Sequence, residues 1–114
     1  MKKILILAAG VFALFLRCAS CKDEPPRVML INNGTDRADI QIKTSGGNTE
    51  NVNGIEVGQS SLWRTFDPGD IKFTIAIHGE DSTFAYTLHA ETCMEYKVTV
   101  TPANQVTASG EEVD

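Results

Sequence analysis

The chain has 114 residues, with ten Lys and Arg against 15 Asp and Glu, a net charge of −5. That length suits one ordinary domain. All 15 acidic residues lie after position 20, against seven basic ones, so residues 21–114 carry −8. Such a balance excludes nucleic-acid binding by phosphate neutralisation and attachment to anionic lipid by charge.

The chain opens with Lys2 and Lys3, then an unbroken apolar run from Ile4 to Leu16, closed by Arg17. A permanent transmembrane helix needs about 20 apolar residues, so this run predicts a cleavable export signal. The small pair Ala19-Ser20 before Cys21 resembles the end of a bacterial lipoprotein signal, with Cys18 where that family has an aliphatic residue. Cys18 itself follows Arg17, a bulky cation that suits the signal peptidase poorly. The resemblance implies cleavage after residue 20, acylation of Cys21 with chains such as palmitate, and membrane attachment through that lipid. The alternative is an ordinary secretory signal cut near Ala19, which would leave a soluble protein.

Lys22-Asp23-Glu24 resembles the lysine-plus-two-acids export signal that one group of Gram-negative bacteria places beside the lipidated cysteine. It implies outer-membrane anchoring with the domain on the cell surface. Pro25-Pro26 then predict a stiff, extended tether over 21–26, because proline fixes φ and disfavours helix in its predecessor. With Cys18 removed and Cys21 acylated, Cys93 would be a lone thiol, buried as a small hydrophobe, and no disulfide framework is expected.

From Arg27 onward the apolar pattern has period two. Ala38, Ile40 and Ile42 alternate with polar residues, as do Ile71 to Ile77, Phe84 to Leu88, and Met94 to Val100. These segments read as half-buried strands. Turn signals stand between segments at Asn33-Gly34, Gly46-Gly47, Asn53-Gly54, Asp67-Pro68-Gly69 and Gly79-Glu80-Asp81. The prediction is all-β: one small antiparallel β-sandwich of about seven strands over 27–108, followed by an acidic tail over 109–114. Folding the chain about Glu80-Asp81 would set Ile77 opposite Phe84, Ile75 opposite Tyr86 and Phe73 opposite Leu88, with Met94–Val100 continuing the meander. Ser60 to Phe66 does not resolve to one face. Leu62 and Phe66 point one way, Trp63 the other, with Arg64 beside them, unless a bulge turns all inward. Leu62, Trp63 and Arg64 are therefore candidate partner contacts.

Val28-Met29-Leu30-Ile31-Asn32-Asn33, Gly58-Gln59-Ser60-Ser61 leading to Trp63, and Phe66-Asp67-Pro68-Gly69 before a long alternating strand resemble small immunoglobulin-like or transthyretin-like bacterial modules. The resemblance implies a fold and no catalytic residues.

No catalytic or metal-binding constellation emerges, and no cofactor is expected. His78 and His89 lie roughly 20 Å apart along neighbouring strands. Glu80-Asp81 and Glu111-Glu112 are wet pairs, and Asp67 with Asp70 is too small a set for a calcium cage. Asn33-Gly34-Thr35 fits the asparagine sequon, yet a tight turn explains it better. Asp81-Ser82-Thr83 resembles the O-glycosylation signal of the same bacterial group, which makes Ser82 a candidate site. The expected function is a non-enzymatic lipoprotein acting as an accessory or structural subunit of an envelope complex. The alternative is a lipid-anchored inhibitor or immunity protein blocking a secreted enzyme or toxin.

Overall fold

The computed structural model describes residues 21–113, so the proposed signal over 1–20, with Cys18, lies outside the described residues. Eight strands follow in chain order: β1 (Arg27–Asn32), β2 (Ala38–Lys43), β3 (Thr49–Ile55), β4 (Arg64–Thr65), β5 (Gly69–Ile77), β6 (Thr83–Ala90), β7 (Met94–Val100) and β8 (Val106–Glu112). They form two four-stranded sheets of order β4-β1-β7-β8 and β3-β2-β5-β6. The fold is an all-β sandwich, as the period-two pattern predicts.

Alternation produces the core directly. Val28 and Leu30 of β1, Ile40 and Ile42 of β2, Ile71, Phe73, Ile75 and Ile77 of β5, and Val98 and Val100 of β7 all turn inward and are buried. Their neighbours along each strand point outward, because successive side chains leave a strand on opposite faces. Tyr86 shares the inner face with Phe73 and Ile75, but β6 is an edge strand and leaves the ring half-covered.

Four features depart from the sequence expectation. The β5–β6 hairpin turns about Gly79-Glu80, one residue earlier than predicted, with the Glu80 N–H donating to the Ile77 carbonyl at 3.0 Å. The pairs are therefore Ile75 with Phe84, Phe73 with Tyr86 and Ile71 with Leu88. A two-residue shift leaves every side chain on its predicted face, so alternation alone could not exclude it.

β3 occupies a stretch that carries a turn signal. Asn53-Gly54 lies inside it, where the pairing with β2 shifts between Ala38 and Ile40. Gly54 has φ +73°, a conformation glycine adopts without steric cost, and its N–H donates to Asp39 Oδ1 at 2.7 Å. The dipeptide that usually makes a turn makes a bulge here.

Met94–Val100 does not continue the meander beside β6. The 91–93 link carries the chain across to the other sheet, where β7 pairs with β1 in parallel and with β8 antiparallel. Cys93 makes the bend at φ +62°, and the Glu91 N–H donates to the Tyr96 hydroxyl at 3.0 Å. Finally, the last strand reaches Glu112 where the sequence suggested an end near Ala108, since Ser109 to Glu112 pair with Lys97 to Met94.

Candidate functional site

Residues 21–26 are bound to the sandwich. The Cys93 N–H donates to the Glu24 carbonyl at 2.8 Å and the Phe66 N–H to the Pro26 carbonyl at 3.0 Å. Pro26 is fully buried, so its ring packs as part of the domain. The extended tether expected over 21–26 is therefore free only over its first residues. Lys22, Asp23 and Glu24 all have exposed side chains.

Cys21 forms a disulfide with Cys93, their Cα atoms 6.0 Å apart. This corrects the expectation of a lone thiol at Cys93, which rested on Cys21 being consumed elsewhere. A count of cysteines cannot show that residues 72 apart meet; the docked segment brings them together. One sulfur atom cannot be both a thioether to lipid and half of a disulfide, so acylation and the Cys93 bond are alternatives at Cys21.

The end of the sandwich around this bond comprises the 44–48, 66–68 and 91–93 loops together with residues 21–26 and Val113. Ser45 donates from Oγ to the Pro68 carbonyl at 2.9 Å and ties two of those loops. A cleft of about 190 Å³ lies here, lined by Pro25, Thr44, Asn48, Glu50, Thr65, Phe66 and Asp67. Pockets that enclose small organic ligands are usually larger, about 300–1,000 Å³.

The opposite end gathers the 33–37, 56–60, 78–82 and 101–105 loops. Asn32 organises it as a buried polar residue: Nδ2 donates to the Asp36 and Ile55 carbonyls, each at 2.8 Å, and Oδ1 accepts from the Gly34 N–H at 2.9 Å. Asn33-Gly34-Thr35 is a turn closed on Asn104, whose Oδ1 accepts from the Thr35 N–H at 3.0 Å. Ser82, with Asp81, is exposed in the hairpin loop before β6.

Of the ambiguous segment, only Arg64–Thr65 forms a strand, pairing with the start of β1. Phe66 turns into the core, whereas Leu62 is 86% exposed. Trp63 is half-buried on the outer side of the β4-β1-β7-β8 sheet. The Arg27 guanidinium stands 5.0 Å from its ring centroid and pairs with Glu95. Arg64 turns the other way and reaches Glu50 of β3 at 3.0 Å, bridging the two sheets at their open edge. The structure thus leaves Leu62 exposed and Trp63 half-buried, and gives Arg64 an ion-pair partner on β3. Sequence reasoning missed Arg27, whose stacking on Trp63 depends on pairing between β1 and β4. A second cleft, about 90 Å³, lies between Trp63, Glu95, Lys97, Ser109 and Glu111.

The two histidines sit at opposite ends of the sandwich. His89 Nδ1 lies 2.9 Å from Asp70 Oδ1, and this hydrogen bond, aided by the aspartate charge, raises the imidazole above its ordinary 6.5. His78 contacts Asp36 at 3.4 Å. The Arg37 N–H is the main cause holding the Asp36 carboxyl below its ordinary 3.8, with His78 adding to it. Both pairs are open to solvent. Among the described residues no group of three or more His, Cys, Asp or Glu side chains converges as metal ligands would. No protein-family model matches the chain, and comparisons with curated proteins and with solved structures returned no match.

Proposed function

We propose that the chain is a non-enzymatic, lipid-anchored protein that serves as an accessory or structural subunit of a complex at the outer membrane or cell surface. The observation that carries the binding role is Leu62, 86% exposed beside Trp63 at the thin β4 edge. A large apolar side chain held out of the core next to a tryptophan is the composition found where binding energy concentrates at interfaces. The anchor reading rests on Ala19-Ser20-Cys21 and the following Lys22-Asp23-Glu24. In the acylated form Cys93 would carry a free thiol, and the Glu24 and Pro26 hydrogen bonds would still hold the segment to the domain.

Mild detergent extraction followed by affinity capture and size-exclusion tests the subunit role. The wild type should elute with a larger assembly, and Leu62→Ala should release it while leaving thermal stability nearly intact. A free monomer in the wild type would reject the subunit role and favour the inhibitor reading. For the anchor, Cys21→Ala should shift the protein from the membrane to the soluble fraction, and Cys18→Ala should not; loss of lipid labelling in Cys18→Ala alone would overturn the assignment. Replacing Lys22, Asp23 and Glu24 by Ala should keep the lipid but protect the domain from protease added to whole cells.

A further inference from the structure

Resting on the lipid-anchor reading above, we propose that the sandwich has no reach from the membrane: its 44–48, 66–68 and 91–93 loops rest directly on the lipid headgroups, with the strands standing upright. The surface involved is the end described around Cys93, and the partner it fits is a zwitterionic phospholipid bilayer.

The argument starts from chain length. A lipid carried at Cys21 is separated from the fixed Glu24 carbonyl by three residues, at most about 10 Å of chain. The hydrogen bonds from Cys93 to Glu24 and from Phe66 to Pro26, with Pro26 buried, fix everything after that point. Acylation at Cys21 opens its bond to Cys93, but the Cys93 N–H still holds the Glu24 carbonyl, so the lipid enters the bilayer within that short reach of the 91–93 turn. A free linker of the same six residues would let the domain tumble, whereas this one is used up in docking.

Charge then selects the lipid. Asp23, Glu24, Asp67, Glu91 and Glu112 are exposed at this end, and Lys22 and Lys43 only partly offset them. Anionic headgroups would repel such an end, while zwitterionic ones would not. β5 runs nine residues away from the membrane, which lifts the Asn32 and Ser82 end about 30 Å from the headgroups.

The test uses the chain from Cys21 carrying Cys93→Ser, with a diacylglyceryl group joined in thioether to Cys21 Sγ, held in phosphatidylcholine vesicles containing a nitroxide-headgroup lipid. Trp63→Phe removes the native indole, and Thr92→Trp or Ser82→Trp reports each end; Glu91→Trp and Asp81→Trp replace them if far-UV circular dichroism shows either variant unfolded. Quenching at position 92 should exceed that at 82 at least about threefold. Equal quenching would overturn the proposal. A ten-residue Gly-Ser insert between Cys21 and Lys22 should erase most of the difference, and its survival would also overturn the proposal by showing that the short connection does not set the orientation. The intact mass of the native protein reads acylation separately. An unmodified native chain together with unequal quenching would reject the anchor reading and leave the geometry standing.

Discussion

Tyr96 lies across Gly110: the two residues are paired between β7 and β8, and a Cβ added at position 110 would stand 2.8 Å from Tyr96 Cε1. The ring covers the spot where a side chain would be, and its hydroxyl accepts from the Glu91 N–H beyond it. Gly110→Ala should therefore push the ring and cost about 1–3 kcal/mol, as overpacking does. Urea denaturation measures the loss. Tyr96→Leu in the same background should recover part of it if the clash is with the ring.

The Cys21–Cys93 bond closes a loop across a separation of 72 residues. On the chain-entropy account its removal should cost about 2–5 kcal/mol in the unacylated domain. Cys93→Ser or added reductant should lower the melting temperature of that form, and alkylation under denaturing, non-reducing conditions should find no free thiol in the chain from Cys21. In acylated protein, reductant should change nothing.

Asn32→Ala should cost about 2–3 kcal/mol, because it leaves the Gly34 N–H and the Asp36 and Ile55 carbonyls without their side-chain partner. Hydrogen exchange should quicken in the 33–37 and 56–60 loops first. Uniform protection loss across the whole domain would show that the residue supports the core in place of that end.

His89 should titrate above 6.5 in an NMR experiment, and Asp70→Asn should bring it down, since Asp70 is the main cause of the rise. A raised folded value means the pair stabilises the fold fully below the unfolded imidazole's pKa and loses that contribution as pH rises through the folded value. Asp36 runs in the opposite sense: its lowered carboxyl contributes above the unfolded carboxylate value and loses it as pH falls. Both groups are fully solvated, so the effects should be small and weakened by salt.

The sandwich was legible because burial in a two-faced sheet imposes alternation, and Ile71, Phe73, Ile75 and Ile77 state it without ambiguity. Alternation is blind to shifts of two residues, which is why the hairpin register depended on the turn and came out displaced. β3 hid because its residues, Thr49 to Ile55, are mostly polar on an edge strand and contain a glycine that elsewhere ends strands. The isolation of Cys93 expected from the cysteine count dissolved once residues 21–26 docked, a long-range event with no local signature. Leu62 and Trp63 could be singled out because they conflict with any single inward face, but the stacking of Arg27 on Trp63 required the β1–β4 pairing to be known.

The parallel β1–β7 pairing has a kinetic consequence. Arg27 meets Glu95 and Asn32 meets Val100, partners 68 residues apart. The sheet β3-β2-β5-β6 joins strands that are closer along the chain, whereas β4-β1-β7-β8 cannot close until β7 is available. Contacts of such separation slow folding, because the loop entropy is lost before the contacts form. The first sheet should therefore order early and the second late, giving a polarised transition state in which substitutions at Ile40 or Ile75 slow folding and those at Leu30 or Val98 speed unfolding. A chain whose β7 has not yet emerged from synthesis would hold only half of its sandwich, with β1 and β4 still waiting for their partner.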